Sequence, residues 1–271
     1  MLRIAKTLED YELRARDGAI GRVKDIYFDD ARWQVRYFVV DTGSWLTGRT
    51  VLIAAAALTV RDWPGRTLSV DLTREQVRHS PSVDTAKPVS RQHEEELHRY
   101  YTWPYYWTAP LAGGAFITPM GPGAAPTPAE FDVLYPEINP DHDRPLERGA
   151  GNTGPEATDD PHLRSVHELR GYHLAATNGS VGHLEDLVLN EETWAVAYLL
   201  VDTRNWWPDK LVILTPGQIR AFNWSQRAVE VALTREAIQA SPEFDEARLL
   251  DADYIERLKE HYEGFVRDRS H

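Results

Sequence analysis

The chain has 271 residues, of which 42% are hydrophobic, no cysteine, and a formal net charge of −12. This length predicts two ordinary globular domains, and the missing cysteine excludes disulfide frameworks, thiolate zinc sites and cysteine nucleophiles and favours a cytoplasmic location. The negative charge disfavours nucleic acid as a partner, and the longest apolar run, Val51 to Val60, has ten residues where a membrane span needs roughly 18, so we expect no membrane insertion.

A gapless internal repeat organises the chain, and in it residue n matches residue n+161. Self-similarity at one fixed offset indicates duplicated structural units. Six of the nine tryptophans stand at paired positions, which a chance match would not produce. The clearest paired segments are Gly18-Ala-Ile-Gly21 with Gly179-Ser-Val-Gly182, Trp33-Gln-Val-Arg-Tyr37 with Trp194-Ala-Val-Ala-Tyr198, Val40-Asp-Thr42 with Val201-Asp-Thr203, and Leu72-Thr-Arg-Glu75 with Leu233-Thr-Arg-Glu236.

Each copy carries the pattern of short β-strands followed by helix. The predicted strands of the first copy are Ile20 to Phe28, Trp33 to Val40, Thr50 to Ile53 and Thr67 to Leu72. An acidic turn at Asp29-Asp30 joins the first two into a hairpin, and the capping-box sequence Thr73-Arg-Glu-Gln76 opens a short helix. We predict a mainly β protein with two small β-barrels in tandem, each followed by short α-helices, because a barrel removes exposed sheet edges.

Composition divides the chain into five predicted segments. Residues 1–85 form the first barrel repeat, 86–108 its helix and aromatic tail, 109–161 a Pro/Gly-rich linker, 162–246 the second barrel repeat, and 247–271 a C-terminal amphipathic helix. The linker holds ten of the 17 prolines, so we expect irregular or extended structure there. Leu250, Tyr254, Leu258 and Tyr262 recur every fourth residue in the last segment, which predicts an apolar helical stripe that must be buried against another part of the protein.

Two groups of aromatic and cationic residues are candidate interaction sites. The segment from Tyr100 to Trp107 has six aromatic residues in eight, so it either packs back on a barrel or forms a recognition surface. The loop after each Asp-Thr pair places tryptophans beside a cation, which fits either a binding hot spot or plain loop packing. The candidate residues are Trp103, Tyr105, Tyr106, Trp107, Trp45, Arg49, Trp206, Trp207 and Lys210.

The sequence offers no catalytic, cofactor-binding or metal-binding set. His93 and His98 are five residues apart, which on a helix turns their side chains about 140° from each other, so we interpret this segment as a solvated helix face. We expect His173, His183 and Glu185 to meet only by accident of folding. A non-enzymatic protein without cofactor is therefore the prediction.

Six residues are assigned structural roles. Asp41 and Asp202 end apolar strands, where an aspartate usually accepts hydrogen bonds from the amides of the following turn, although a paired-carboxylate reading stays open. The short Gly-x-x-Gly motifs lack the Lys-Ser/Thr of a phosphate loop, so their glycines are interpreted as turn residues with positive φ. These glycines are Gly18, Gly21, Gly179 and Gly182.

The combination of Asp17-Gly-x-x-Gly21, Tyr37-Phe-Val-Val-Asp-Thr-Gly-Ser-Trp45, Val51-Leu-Ile53 and Leu72-Thr-Arg-Glu-Gln-Val77 resembles the PRC-barrel family. The family is named for the cytoplasmic domain of the photosynthetic reaction-centre H subunit, and a related barrel forms the C-terminal domain of the ribosome maturation factor RimM. Stand-alone bacterial members exist as well. The resemblance covers both repeats and implies an adaptor barrel without a catalytic residue set.

The functional hypothesis is a non-enzymatic adaptor whose partner is another protein or a second copy of itself, as a pseudo-dimer of repeats or a homodimer. A bacterial stress response or the assembly of a larger complex is the expected setting. Two alternatives stay open: an RNA or ribosome-assembly accessory factor, and a subunit associated with a photosynthetic reaction centre that lacks its membrane helix.

Overall fold

The structure, a computed structural model, describes residues 1–81, 89, 91–107, 163–203, 210–245 and most of 254–262. The predicted linker over 109–161 and the candidate residues Trp206 and Trp207 lie outside the described residues. The chain divides into two compact units. We call residues 8–164 the first unit, and residues 1–7 together with 165–271 the second unit.

Short strands make up most of the described chain. The strands are β1 (Leu2–Ile4), β2 (Glu12–Ala15), β3 (Gly18–Asp29), β4 (Gln34–Asp41), β5 (Thr50–Ala54), β6 (Leu58–Asp62), β7 (Thr67–Val70), β8 (Leu163–Ser165), β9 (His173–Ala176), β10 (Gly179–Asn190), β11 (Val196–Asp202), β12 (Leu211–Leu214), β13 (Ile219–Asn223) and β14 (Ala228–Val231). The α-helices are α1 (Arg74–Arg78), α2 (Arg91–Tyr101), α3 (Val166–Leu169) and α4 (Arg235–Ala240), and the described residues of 254–262 are helical too.

Each unit contains a seven-stranded sheet, and the two sheets have the same order. The first runs β5-β4-β3-β2-β7-β6 and the second β12-β11-β10-β9-β14-β13. In the first unit, the strands at the two ends of this path, β5 and β6, are joined only by the 3-10 turn Ala55–Ala57, so the sheet must curl to bring its ends together. The prediction of a mainly β chain with tandem β units is confirmed.

The turn, the helix cap and the buried C-terminal tyrosine that the sequence indicates are all present in the structure. The hairpin turn after β3 is held by Asp29, whose Oδ1 accepts hydrogen bonds from the amides of Ala31 and Arg32 at 3.0 Å. Thr73 caps α1 by accepting from the Gln76 amide, and the Gln76 side chain accepts from the Thr73 amide in return. At the other end of the chain, Tyr262 is buried and its Oη donates to the Ile213 carbonyl oxygen at 2.8 Å.

The first strand of each repeat belongs to the unit that the other repeat builds. β1 comes from the first repeat but pairs antiparallel with β10 of the second unit, with Leu2 opposite Asn190 and Ile4 opposite Val188. β8 lies 161 residues further on, at the start of the second repeat, and pairs with β3. The predicted segments 1–85 and 162–246 keep each of these strands with its own repeat, whereas the structure pairs each strand with the other repeat.

Among the helices of the described residues, none combines the length and the apolar character that crossing a bilayer requires.

Candidate functional site

An open cleft of about 600 Å³ lies in the first unit, where β2, β3 and the end of β4 run side by side. Strand register places three charged residues in a row across it, since Glu12 is opposite Arg22 and Arg22 is opposite Asp41. Lys24 lines the same cleft. Glu9 and Asp10 line it as well, so four carboxylates and two cations border this cleft, and opposite charges on neighbouring strands attract.

The turn after β4 forms one wall of this cleft. Asp41 Oδ1 accepts a hydrogen bond from the Gly43 amide at 2.8 Å, as expected for an aspartate at a strand end. Trp45 is half-buried, and its indole Nε1 donates to the Ile20 carbonyl oxygen. The Arg74 guanidinium carbon lies 4.3 Å from the centre of the Trp45 ring. Trp45 therefore packs into the unit and offers only part of its surface to a partner.

Arg49 and Lys210, which are paired by the repeat, both reach carbonyl oxygens near the end of a short helix. Arg49 donates to the carbonyl oxygens of Arg78, at 2.9 Å, and of Ser80. Lys210 donates to the Gln239 carbonyl oxygen. A cation at this position satisfies carbonyls that have no partner within the helix and interacts favourably with the helix dipole. Both residues thus have a local structural role, and a binding role for them stays a prediction.

The aromatic tail packs around His98 of α2, which is buried, so the interpretation of its segment as a solvated helix face is wrong at this histidine. His98 is 4% exposed, and the rings of Trp107 and Tyr105 have their centres 4.9 and 5.7 Å from its own. Trp103 and Tyr106 also lie within ring-contact distance of His98. We call Trp103, Tyr105, Tyr106 and Trp107 the aromatic cluster. Tyr105 is 37% exposed and the other three are half-buried, so the cluster is attached to the unit and still reaches the surface.

A network of buried and part-buried hydrogen bonds fixes the aromatic cluster in place. His98 Nδ1 lies 2.9 Å from the Pro104 carbonyl oxygen, and since a carbonyl only accepts, this nitrogen is the donor. On the other side of the ring, His98 Nε2 lies 2.8 Å from Tyr37 Oη. Tyr37 donates to Glu94 Oε1 at 2.8 Å, and Tyr106 donates to the same oxygen at 2.5 Å. Burial, reinforced by the nearby Glu94 charge, raises the pKa of Tyr37 well above its ordinary value.

Arg36 connects the cluster to the hairpin turn. Its guanidinium carbon lies 3.9 Å from the centre of the Tyr106 ring, and its Nη2 lies 3.1 Å from Asp29 Oδ2. Burial alone would raise the pKa of Asp29, but the charges of Arg36 and Arg32 outweigh it and hold that pKa below the ordinary value. The turn carboxylate is thus charged and paired, and it helps to hold Arg36 against the aromatic ring.

Tyr37→Phe is expected to destabilise the first unit by about 1–3 kcal/mol, because Glu94 is fully buried and loses a hydrogen-bond donor. Urea denaturation followed by tryptophan fluorescence measures the loss. Tyr11→Phe is the matched control, since the Tyr11 hydroxyl makes a longer, part-buried bond of 3.3 Å to the Trp63 carbonyl oxygen. If both variants lose the same free energy of unfolding, the buried network contributes no more to stability than an ordinary tyrosine hydrogen bond.

The second unit places a different set of residues at the position of the first unit's cleft. His183 on β10 is opposite Asp202 on β11 and opposite His173 on β9. His183 Nε2 lies 3.9 Å from a carboxylate oxygen of Glu185 and 3.9 Å from one of Asp202. Asp202 is buried, whereas His183 and Glu185 are half-buried. The structure therefore brings His183 and Glu185 together with a third residue, Asp202, which sequence reasoning did not connect with them.

The motif glycines act in two ways. Gly18 and Gly179 start β3 and β10 with φ of 143° and 137°, a backbone region that other residues rarely adopt. Gly21 and Gly182 lie where the next strand comes very close, and a Cβ on Gly21 would stand 2.8 Å from the Asp41 carbonyl carbon. Gly182 combines the same close approach with a φ of 64°, whereas Gly21 is not in the left-handed region.

Comparison with known proteins agrees with this geometry. Residues 5–76 match the family model of the PRC-barrel domain. A search of curated proteins finds no match to the chain. The matched residues include β2 to β7 and the cleft between them, and the second unit repeats their strand order. The chain therefore contains a PRC-barrel domain, which the family model matches over residues 5–76.

Proposed function

We propose that this protein is a non-enzymatic adaptor that holds a protein partner in a larger assembly through the aromatic cluster of its first unit. The PRC-barrel domain is a protein-interaction or assembly module, and the cluster follows the matched residues 5–76 further along the chain, within the same unit. The observation that carries the proposal is that part-buried hydrogen bonds and ring contacts around the buried His98 hold aromatic side chains that still reach the surface.

Exposed Trp and Tyr side chains dominate the energetics of many protein interfaces, because they bury a large area and lose few degrees of freedom. Affinity rises further when such side chains are ordered before the partner arrives. His98, Tyr37 and Glu94 provide this ordering, since they fix the tail through its Pro104 carbonyl and its Tyr106 hydroxyl. A preformed aromatic surface on a stable β unit fits the binding site of an adaptor.

A photocrosslinking amino acid at position 105 tests the proposal in cells that naturally express the protein. We expect it to capture one defined partner, or a second copy of this chain, that mass spectrometry identifies. The same group at position 60 is the control, because Val60 is 59% exposed on β6 of the same unit and lies outside the cluster. No product at position 105 beyond that at position 60 would refute the role of the cluster.

A binding measurement with the purified partner completes the test. Trp107→Ala is expected to raise the dissociation constant about 30-fold, which is the effect of removing an interface hot spot. Val60→Ala should leave the affinity unchanged. If both variants bind the partner like the unaltered protein, the crosslink at position 105 reflects proximity and the cluster is not the binding site.

A further inference from the structure

We infer that the second unit binds a divalent transition-metal ion of the zinc class through His183, Glu185 and Asp202. One ligand atom from each of these side chains lies within 4.8 Å of the other two. An imidazole with two carboxylates is a donor set that Zn²⁺ accepts, whereas Ca²⁺ and Mg²⁺ prefer oxygen ligands alone. The site belongs to the second unit, so the inference does not depend on the adaptor role proposed for the first.

The strand architecture positions the three ligands. His183 and Glu185 are two residues apart on β10, and Asp202 is directly opposite His183 on β11. Two ligands bound to one tetrahedral Zn²⁺ at about 2.05 Å stand about 3.4 Å apart. The observed separations of 3.9 Å from His183 Nε2 to each carboxylate need a contraction of about half an ångström, and the two carboxylate oxygens, which lie within 4.8 Å of each other, must also come closer. Two half-buried side chains allow that movement by small rotations.

The corresponding positions of the first unit carry cations where the second unit carries residues that can bind a metal ion. The residues there include Glu12, Arg22, Lys24 and Asp41. The repeat replaces them in the second unit by His173, His183, Glu185 and Asp202. Arg22 and Lys24 are thus replaced by His183 and Glu185, so two cationic side chains give way to an imidazole and a carboxylate, both of which can bind a metal ion.

His173 completes the surroundings of the site. It lies directly opposite His183 in the antiparallel pair of β9 and β10, and opposite residues of such a pair project from the same face of the sheet. His173 is exposed, so its ring is a candidate fourth ligand. Three ligands from the cluster leave one tetrahedral position for His173 or for water.

Isothermal titration of the full chain with Zn²⁺, and Co²⁺ titration followed by visible absorption, test the inference. We expect one tight site and a tetrahedral Co²⁺ spectrum. His183→Ala and Glu185→Gln should each weaken that site more than about 100-fold, since loss of a ligand costs more than loss of an outer-shell partner. His167→Ala, which removes another exposed histidine of the same unit, should leave the site unchanged.

A double variant guards against loss of folding. His183→Arg with Glu185→Lys introduces the residues that the first unit carries at the same positions, so the strands are expected to form as before. The unaltered chain should gain thermal stability on addition of Zn²⁺, because an ion that binds only the folded state stabilises it, and the double variant should not. If the dissociation constant for Zn²⁺ is unchanged in His183→Ala, or if Zn²⁺ still stabilises the double variant, the inference is wrong.

Discussion

Gly21→Ala is expected to unfold the first unit or to cost it about 4 kcal/mol or more. An added Cβ would stand 2.8 Å from the Asp41 carbonyl carbon and 2.9 Å from Thr42 Cα. Both neighbours are backbone atoms of the adjoining strand and turn, so no side-chain rotation relieves the overlap, and the strands must separate. Gly182→Ala should damage the second unit in the same way, because the repeat places Asp202 and Thr203 against it.

Gly43→Ala separates this overlap from the general cost of replacing glycine. Gly43 has a φ of 59°, and a Cβ there would meet nothing within 4 Å. Only the strain of a left-handed alanine remains, which costs about 1 kcal/mol. Hydrogen exchange measured by mass spectrometry on peptides from β3 and β4 reports the stability of the first unit. If Gly21→Ala costs no more than Gly43→Ala, close strand approach is not the reason for the glycine.

Much of the fold could be predicted from the sequence, because its signals are local. The repeat established the duplication, alternating apolar residues indicated the long strands, and Thr73 with Gln76 predicted the start of α1. β6 was missed, since its sequence Leu-Thr-Val-Arg-Asp continues an alanine-rich run without a clear pattern. Nothing local indicates the exchange of β1, because a three-residue strand carries no information about which sheet it joins.

In the candidate sites too, groups of residues close in sequence could be predicted, whereas contacts between distant residues could not. Crowded aromatics from Tyr100 to Trp107 were visible in the sequence as a candidate surface. The residues that order them were not, since Tyr37 and His98 are 61 positions apart and meet only when α2 packs on the sheet. His183 and Glu185 were visible as neighbours, but the register of β10 with β11 is what adds Asp202.

The strand exchange gives the N-terminus an unusual role in the stability of the chain. Arg3 on β1 forms an ion pair of 2.6 Å with Glu191, whose side chain is only 7% exposed. The Lys6 amide donates to Asp186 Oδ2 at 2.8 Å, and burial raises the pKa of Asp186 although the charge of Arg170 opposes that rise. Two buried carboxylates of the second unit therefore depend on residues from the first seven positions of the sequence.

Deletion of Leu2–Ile4 is consequently expected to destabilise the second unit by about 3–5 kcal/mol and to leave the first unit's stability unchanged. The deletion removes the strand partner of Val188 to Asn190 and leaves the Glu191 carboxylate without its Arg3 guanidinium, and an uncompensated buried charge carries a cost of this size. Hydrogen exchange should rise in peptides from β10 and β11, while peptides from β3 and β4 keep their protection. Arg14→Ala is the control, because its exposed pair with Glu12 is worth at most about 1 kcal/mol. Loss of protection in β3 and β4 with β10 unchanged would mean that β1 pairs within its own repeat, and the exchange would have to be abandoned.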